Sequence, residues 1–393
     1  YGFDYSLVRN PDIDTAYNAL ITYVIPGSPA AQAGLERGDW IMKVDTSYIS
    51  KKYETYLLQG TKAVELTLGE WKEVEIEDEE DGNEGGDGED EGPTMEYRVV
   101  PIDEPVEMPA ARIVEDNPVH KYEIIESPVK NIKVGYLMYN SFTAGTKAEP
   151  EKYNNELRSV SQKFKEAGVQ AVILDLRYNE GGSMDCVQLL GTILTSAERL
   201  GEPMAYLEYN DKNTDKDATI LFGTDREINL DLHSLIAITS GTTMGAPEML
   251  IRSLFLEDTY PIATVGSSTK GQNVATEQFI NEEFLWSVNP VVCTVYNSQH
   301  DTYGAISPAT DLKVSETTID GSTNYSEFLP FGTFDKDGKS ERLLKIAIGV
   351  LDGTYPPKDD ETPEESTTQT RFKVEKSVSS PASRRFSSKG LRL

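Results

Sequence analysis

The chain of 393 residues reads as an α/β protein in two folded parts: a small β-rich N-terminal domain, then a larger core on a mostly parallel sheet. Three observations predict this. The length exceeds what one compact core usually supports. The first part holds short β-branched and aromatic runs cut by Pro and Gly. The later part alternates apolar strands with amphipathic helical patterns, the mark of a parallel sheet with right-handed crossovers.

A hydrophobic content of 38% is ordinary for a globular protein, so both cores can be filled. The formal net charge of −29 argues against nucleic-acid binding, which needs clustered positive charge, and against docking on an anionic membrane surface. Much of the excess sits in Glu73–Gly92, so it bears on solubility more than on substrate. Cys186 and Cys293 are too few for a disulfide scaffold or a cysteine-based zinc site, and no cofactor is expected. No apolar run approaches the ~20 residues of a membrane span. The chain starts at Tyr1 rather than Met, which suggests a removed leader, although no signal peptide is visible.

In the N-terminal part, Ala19–Ile25 is a strand ended by Pro26-Gly27. Ser28–Leu35 is a short helix with Pro29 in its first turn and Gly34 as its stop. Gly38-Asp39 then leads into the strand Trp40–Asp45. The string Pro26–Ile41 closely resembles the signature of bacterial PDZ domains, in which glycines join helix and strand at fixed offsets. A PDZ-like domain over 1–105 is therefore expected, with Tyr1, Gly2 and Phe3 as the loop that receives a peptide carboxylate. Between the strands Val64–Val74 and Met95–Val100 lies the acidic Glu73–Gly92 stretch. It fails the helix-loop-helix calcium pattern, because Gly85 and Gly92 stand where ligands are needed, and reads as a solvated hairpin loop.

A connector is expected over 106–130 and the α/β core over 131–356. Val134–Tyr139 is a strand. Tyr153, Leu157, Val160, Phe164 and Ala167 form one apolar helix face closed by Gly168. Val169–Leu176 is a nearly uninterrupted apolar run, as a strand covered on both faces should be. A helix over about 183–196, the strand Leu235–Thr239, a helix from Ala246 and the strand Ile262–Val265 continue the alternation. The segment 357–393, rich in Pro, Ser, Thr and charge, is expected to be disordered.

Chemistry is sought at strand ends, where open α/β sheets place their sites. The only histidines, His120, His233 and His300, lie in no Ser- or Cys-centred motif, and no Gly-x-Ser-x-Gly elbow occurs. Asp175-Leu176-Arg177-Tyr178-Asn179-Glu180-Gly181-Gly182 runs from a buried strand through a Gly-Gly turn into a helix. Such a turn can present backbone N–H groups to an oxyanion, or can serve geometry alone.

This run resembles the Asp-Leu-Arg-x-Asn-Gly-Gly-Gly motif of the tail-specific (C-terminal-processing) serine peptidases, with Glu180 in place of the first glycine. The core is especially similar to secreted Bacteroidetes members. The resemblance implies a crotonase-like α/β core, peptide-bond hydrolysis at protein tails, and a Ser-Lys dyad in which a lysine in an apolar pocket acts as base. It also implies oxyanion donors at Gly182 and Ala246.

The family's nucleophile precedes a helix glutamate by three residues. Counting back from Glu248 places Gly245 there. Val265-Gly266-Ser267-Ser268-Thr269-Lys270-Gly271-Gln272 matches the segment that carries the base, and places Gln272 at the lysine position. Neither residue can do its family's chemistry. The expectation is a protein that binds extended peptides or protein C-termini but is hydrolytically impaired. The alternative is an active enzyme using Thr242 or Thr243 with Lys270, which an extended segment would project to the same face as Gln272. Thioester chemistry on a related fold is disfavoured by the PDZ string. The resemblance also implies a periplasmic or cell-surface location, with a lipid anchor possible.

Overall fold

The computed structural model describes residues 1–76, 94–319, 322–324, 328–335, 338–356, 371–378 and 389–393. The chain forms two units. One is Tyr1–Asp116 with Thr317–Pro330 and Pro363–Ser379; the other is Asn117–Glu316 with Phe331–Thr362 and Ser380–Leu393. The expected connector is divided between them. Val106–Met108 pairs with Val64–Ile76 in the first unit, and Val119–Glu126 pairs with Lys133–Tyr139 in the second.

The first unit is an antiparallel sheet in the order Val374–Val378, Phe3–Arg9, Tyr17–Val24, Trp40–Val44, Val64–Ile76, Thr94–Pro101. Period-2 alternation sends Leu7, Ala19, Ile21 and Ile41 to one core, and Val8, Leu20, Trp40 and Met42 to another. Ser28 caps the helix Pro29–Gln32 by accepting from Ala31 N at 3.2 Å. The two strands flanking the acidic stretch pair as a hairpin; most of that stretch, 77–92, lies outside the described residues.

The second unit carries a five-stranded sheet in the order Ile262–Gly266, Leu235–Thr239, Ala171–Asp175, Lys133–Tyr139, Val119–Glu126. All its pairings are parallel except the last. Helices Lys152–Ala167, Met184–Leu194, Ala246–Leu254 and Arg342–Asp352 belong to this unit. A second, mixed sheet has six strands in the order Gly181–Ser183, Gly390–Arg392, Val274–Thr276, Val291–Tyr296, Pro203–Tyr209, Ala218–Leu221.

Of the C-terminal segment 357–393, residues 357–370 and 379–388 lie outside the described residues, and the described parts depart from the sequence expectation. Val374–Val378 and Gly390–Arg392 are strands, each paired with a strand far away in the chain. Composition could not reveal this, since each strand is short and gains its hydrogen bonds from an edge built elsewhere. Among the described residues no helix is long and apolar enough to cross a membrane.

Candidate active site

Strand Leu235–Thr239 ends in a turn tied to the neighbouring strand end through hydroxyls. Ser240 and Thr242 both donate to the Arg177 carbonyl, Thr242 Oγ1 at 2.9 Å. Thr243 Oγ1 donates to Leu176 O at 2.9 Å and accepts from Ser240 N at 3.0 Å. The chain then passes through Gly245 at φ 70°, ψ −104° into helix Ala246–Leu254. A sharp strand-to-helix turn through one strained residue is the geometry of a nucleophile elbow. A non-glycine residue there costs about 1–3 kcal/mol of backbone strain, which glycine avoids.

Glu248 locks this elbow to the segment carrying Gln272. Its side chain is fully buried and accepts from Gly245 N at 2.8 Å, Gln272 N at 2.9 Å, Gly271 N and the Thr269 hydroxyl. Thr269 Oγ1 in turn accepts from Ile306 N at 2.9 Å. One carboxylate thus satisfies a helix N-terminal amide, as in half of a capping box, and fixes the approach of the facing loop.

The Asp175–Gly182 turn rests on a buried charge cluster. Arg177 Nη2 lies 2.7 Å from Asp175 Oδ2, and Nη1 lies 2.8 Å from Glu341 Oε1; all three side chains are fully buried. Tyr136 Oη donates to Asp175 at 2.8 Å. Burial raises the Asp175 carboxyl above its usual range while Arg177 opposes the rise. Burial works against the Arg177 charge, but Asp175, Glu341 and Glu316 outweigh it and hold the guanidinium protonated. Asn179 completes the support by donating to Tyr139 O at 2.8 Å and accepting from Gly181 N at 3.0 Å. Gly182 sits at φ 139°, where an added Cβ would lie 2.1 Å from the Phe142 carbonyl. Only glycine fits there.

The expected residues are brought together unequally. Gly245 and Gln272 border Gly390, Gly182 pairs with the following Leu391, and Ala246 opens the helix directly after Gly245. Lys270 is exposed, outside any apolar pocket, while Gln272 Oε1 is buried. The shared projection expected of an extended segment is absent, because Gly271 turns the chain at φ 86°. Thr242 and Thr243 spend their hydroxyls on backbone carbonyls. Tyr1, Gly2 and Phe3 lie in the other unit, at the head of strand Phe3–Arg9, which pairs with Tyr17–Val24 on one side and Val374–Val378 on the other. Sequence reasoning used Glu248 only as a counting anchor and missed its role as a clamp. Its place at the third residue of a helix after a turn was the available signal. Among the described residues no three His, Cys, Asp or Glu side chains are gathered to share a metal ion.

A sharp glycine turn entering a helix, a second glycine turn after a buried strand and a PDZ-like β unit together have the parts of a PDZ-linked peptidase architecture. Residues 133–288 match peptidase family S41, and residues 20–67 match the PDZ domain. A structure described as an S41 protease from Bacteroides fragilis shares 39% identity at a TM-score of 0.74, covering 90% of this chain and 82% of that one. A photosystem II D1 C-terminal processing protease is similar at 15% identity and a TM-score of 0.40, over 80% and 72% of the two chains. A peptidase structure from Parabacteroides merdae gives 20% and 0.37, over 59% and 66%. No curated protein matches the chain. The chain belongs to peptidase family S41.

Proposed function

We propose that the protein binds extended polypeptide segments, protein C-termini among them, and hydrolyses them slowly or not at all. The observation that carries this reading is Gly245: the elbow backbone is intact, and the position that aims a nucleophile has no side chain. Gln272 supports it from the other side. Its amide nitrogen has no lone pair free to take a proton, so it cannot serve as general base. The oxyanion turn still offers the Gly182 N–H to a peptide carbonyl, so binding outlives chemistry. In the PDZ-like unit the N–H groups around Tyr1, Gly2 and Phe3 would take a ligand's carboxylate, ahead of the Tyr5–Val8 stretch that Val374–Val378 already pairs with. We place the protein in the periplasm or on the cell surface, on its likeness to secreted members; cell fractionation checks this.

Fluorescein-labelled casein tests the loss of hydrolysis. The wild type should release no label above background. Gly245→Ser/Gln272→Lys should gain roughly 10²-fold or more, a fraction of the about 10⁶-fold that removing a serine-protease nucleophile costs. Wild-type cleavage that Lys270→Ala abolishes would overturn the reading.

A further inference from the structure

The groove beside Gly245 is filled by the protein's own chain. Gly390–Arg392 runs between Gly181–Ser183 and Val274–Thr276, parallel to both, with Gly181 opposite Gly390 and Ala275 opposite Leu391. Gly390 N donates to the Glu180 carbonyl at 2.6 Å. In a parallel ladder, a residue that donates to the neighbour before its partner accepts from the neighbour after it, so the Gly390 carbonyl faces the Gly182 N–H. A Cβ at Gly245 would lie 2.4 Å from the Gly390 carbonyl carbon and 2.6 Å from Leu391 N. The empty nucleophile position therefore points at the Gly390–Leu391 peptide bond.

The fit is specific on both sides of that bond. Gly390 has φ 76°, and a Cβ on it would approach Gln272 Oε1 to 2.6 Å. Leu391 is 1% exposed and joins the main apolar core of its unit. Leu393 N donates to Thr276 O at 3.0 Å, and Lys389 Nζ lies 3.2 Å from Glu180 Oε2. These contacts bracket the strand at both ends.

We propose that Lys389–Leu393 is a ligand in cis: it keeps the groove in a substrate-like occupied state that an external peptide must displace. The groove takes peptides with glycine facing Gly245 and Gln272, followed by an aliphatic residue. The glycine at 245 suits this occupant, because any side chain there would collide with the resident strand. Cis occupancy presupposes that the groove is a peptide site, as proposed above.

The probe is fluorescein-labelled Lys-Gly-Leu-Arg-Leu amide, titrated into the full chain and into the variant Gly390→Val/Leu391→Asp. The variant should bind at least about tenfold tighter, since the wild type holds its own segment at a high effective concentration. Equal affinity for both proteins would overturn cis occupancy while leaving the peptide site standing. Binding to neither would overturn the peptide site itself. A probe with Val in place of Gly should bind the variant at least about tenfold more weakly, because a β-branched residue rarely adopts positive φ; equal binding would refute the glycine selectivity. Hydrogen exchange on the unmutated chain gives an answer that does not depend on the variant's folding. The amides of 390–392 should be protected and should lose protection as the glycine probe is added, and exchange at the free-chain rate would defeat the proposal.

Discussion

Two strands from the last part of the chain each complete a sheet, and they do so by different physics. Val374–Val378 adds antiparallel to the outer edge Phe3–Arg9, with a register break between Leu7 and Val8. Glu375, Lys376, Ser377 and Val378 stay exposed. Val374 packs against the cluster around Trp40, and the strand's other side-chain ties are polar: Lys376 to Glu54, Lys51 to Glu375 at 3.3 Å, and Ser6 to Ser377 at 2.9 Å. Gly390–Arg392 instead lies inside a sheet with a neighbour on each side, and Gly390 and Leu391 are buried. The first edge thus holds its strand mainly by backbone and charge, with Val374 as its one apolar anchor. The second selects by shape.

Removing the support of the second site should have the largest effect. Arg177→Met leaves Asp175 and Glu341 as buried, uncompensated carboxylates, and should cost about 3–5 kcal/mol. Protection from hydrogen exchange should fall throughout Ala171–Asp175 and Gly181–Ser183 and hold in Phe3–Arg9. A uniform loss across both units would break the contrast.

Leu391→Ala acts on the strand itself and should cost about 2–5 kcal/mol in local opening of Gly390–Arg392 if the site does not collapse around the missing methyls. Exchange should quicken in Val274–Thr276 and Gly181–Ser183, its two neighbours, and stay unchanged along Val374–Val378.

How much of this was legible in the sequence follows the same division. Leu235–Thr239 and Ala171–Asp175 announce themselves because strands covered on both faces are apolar throughout. Helix Lys152–Ala167 was readable because its buried Tyr153, Leu157, Val160 and Phe164 recur at helical spacing. Gly182 and Gly245 are singled out by motif neighbours alone, and their positive φ values give a backbone reason for the residue type. Gly390–Arg392 left no such trace. Three residues in polar surroundings carry no period, and their partners Gly181 and Ala275 lie far off in the chain. The Arg177–Glu341 pair was hidden for the same reason: charges read as surface until the fold supplies the partner.

Lys376→Ala sharpens the comparison from the other edge. Glu54 is buried and Lys376 half-exposed, so the ion pair should contribute about 1 kcal/mol or less after solvent screening. The strand should persist, with modestly faster exchange in Val374–Val378 that raised salt mimics in the wild type. Loss of the strand altogether would mean that this edge too depends on side-chain fit.

The smallest effect is a matter of pH, and the cysteines report it from the second unit alone. Burial pushes the Cys186 thiol up to about 12 and the Cys293 thiol up to about 11. Cys186 lies in the helix after the Asp175–Gly182 turn, and Cys293 in the strand paired with Val274–Thr276. Folded values above the usual thiol range near ~8.5 mean that the neutral form is favoured by folding. That contribution is complete below pH ~8.5 and fades as pH rises through 11 to 12. At pH 8 neither thiol should react with a disulfide reagent on the timescale of an unfolded control. Leu391→Ala should speed the reaction at Cys293, which borders the displaced strand's neighbour, more than at Cys186. Equal acceleration at both would indicate that loss of Leu391 loosens the whole core rather than opening the groove.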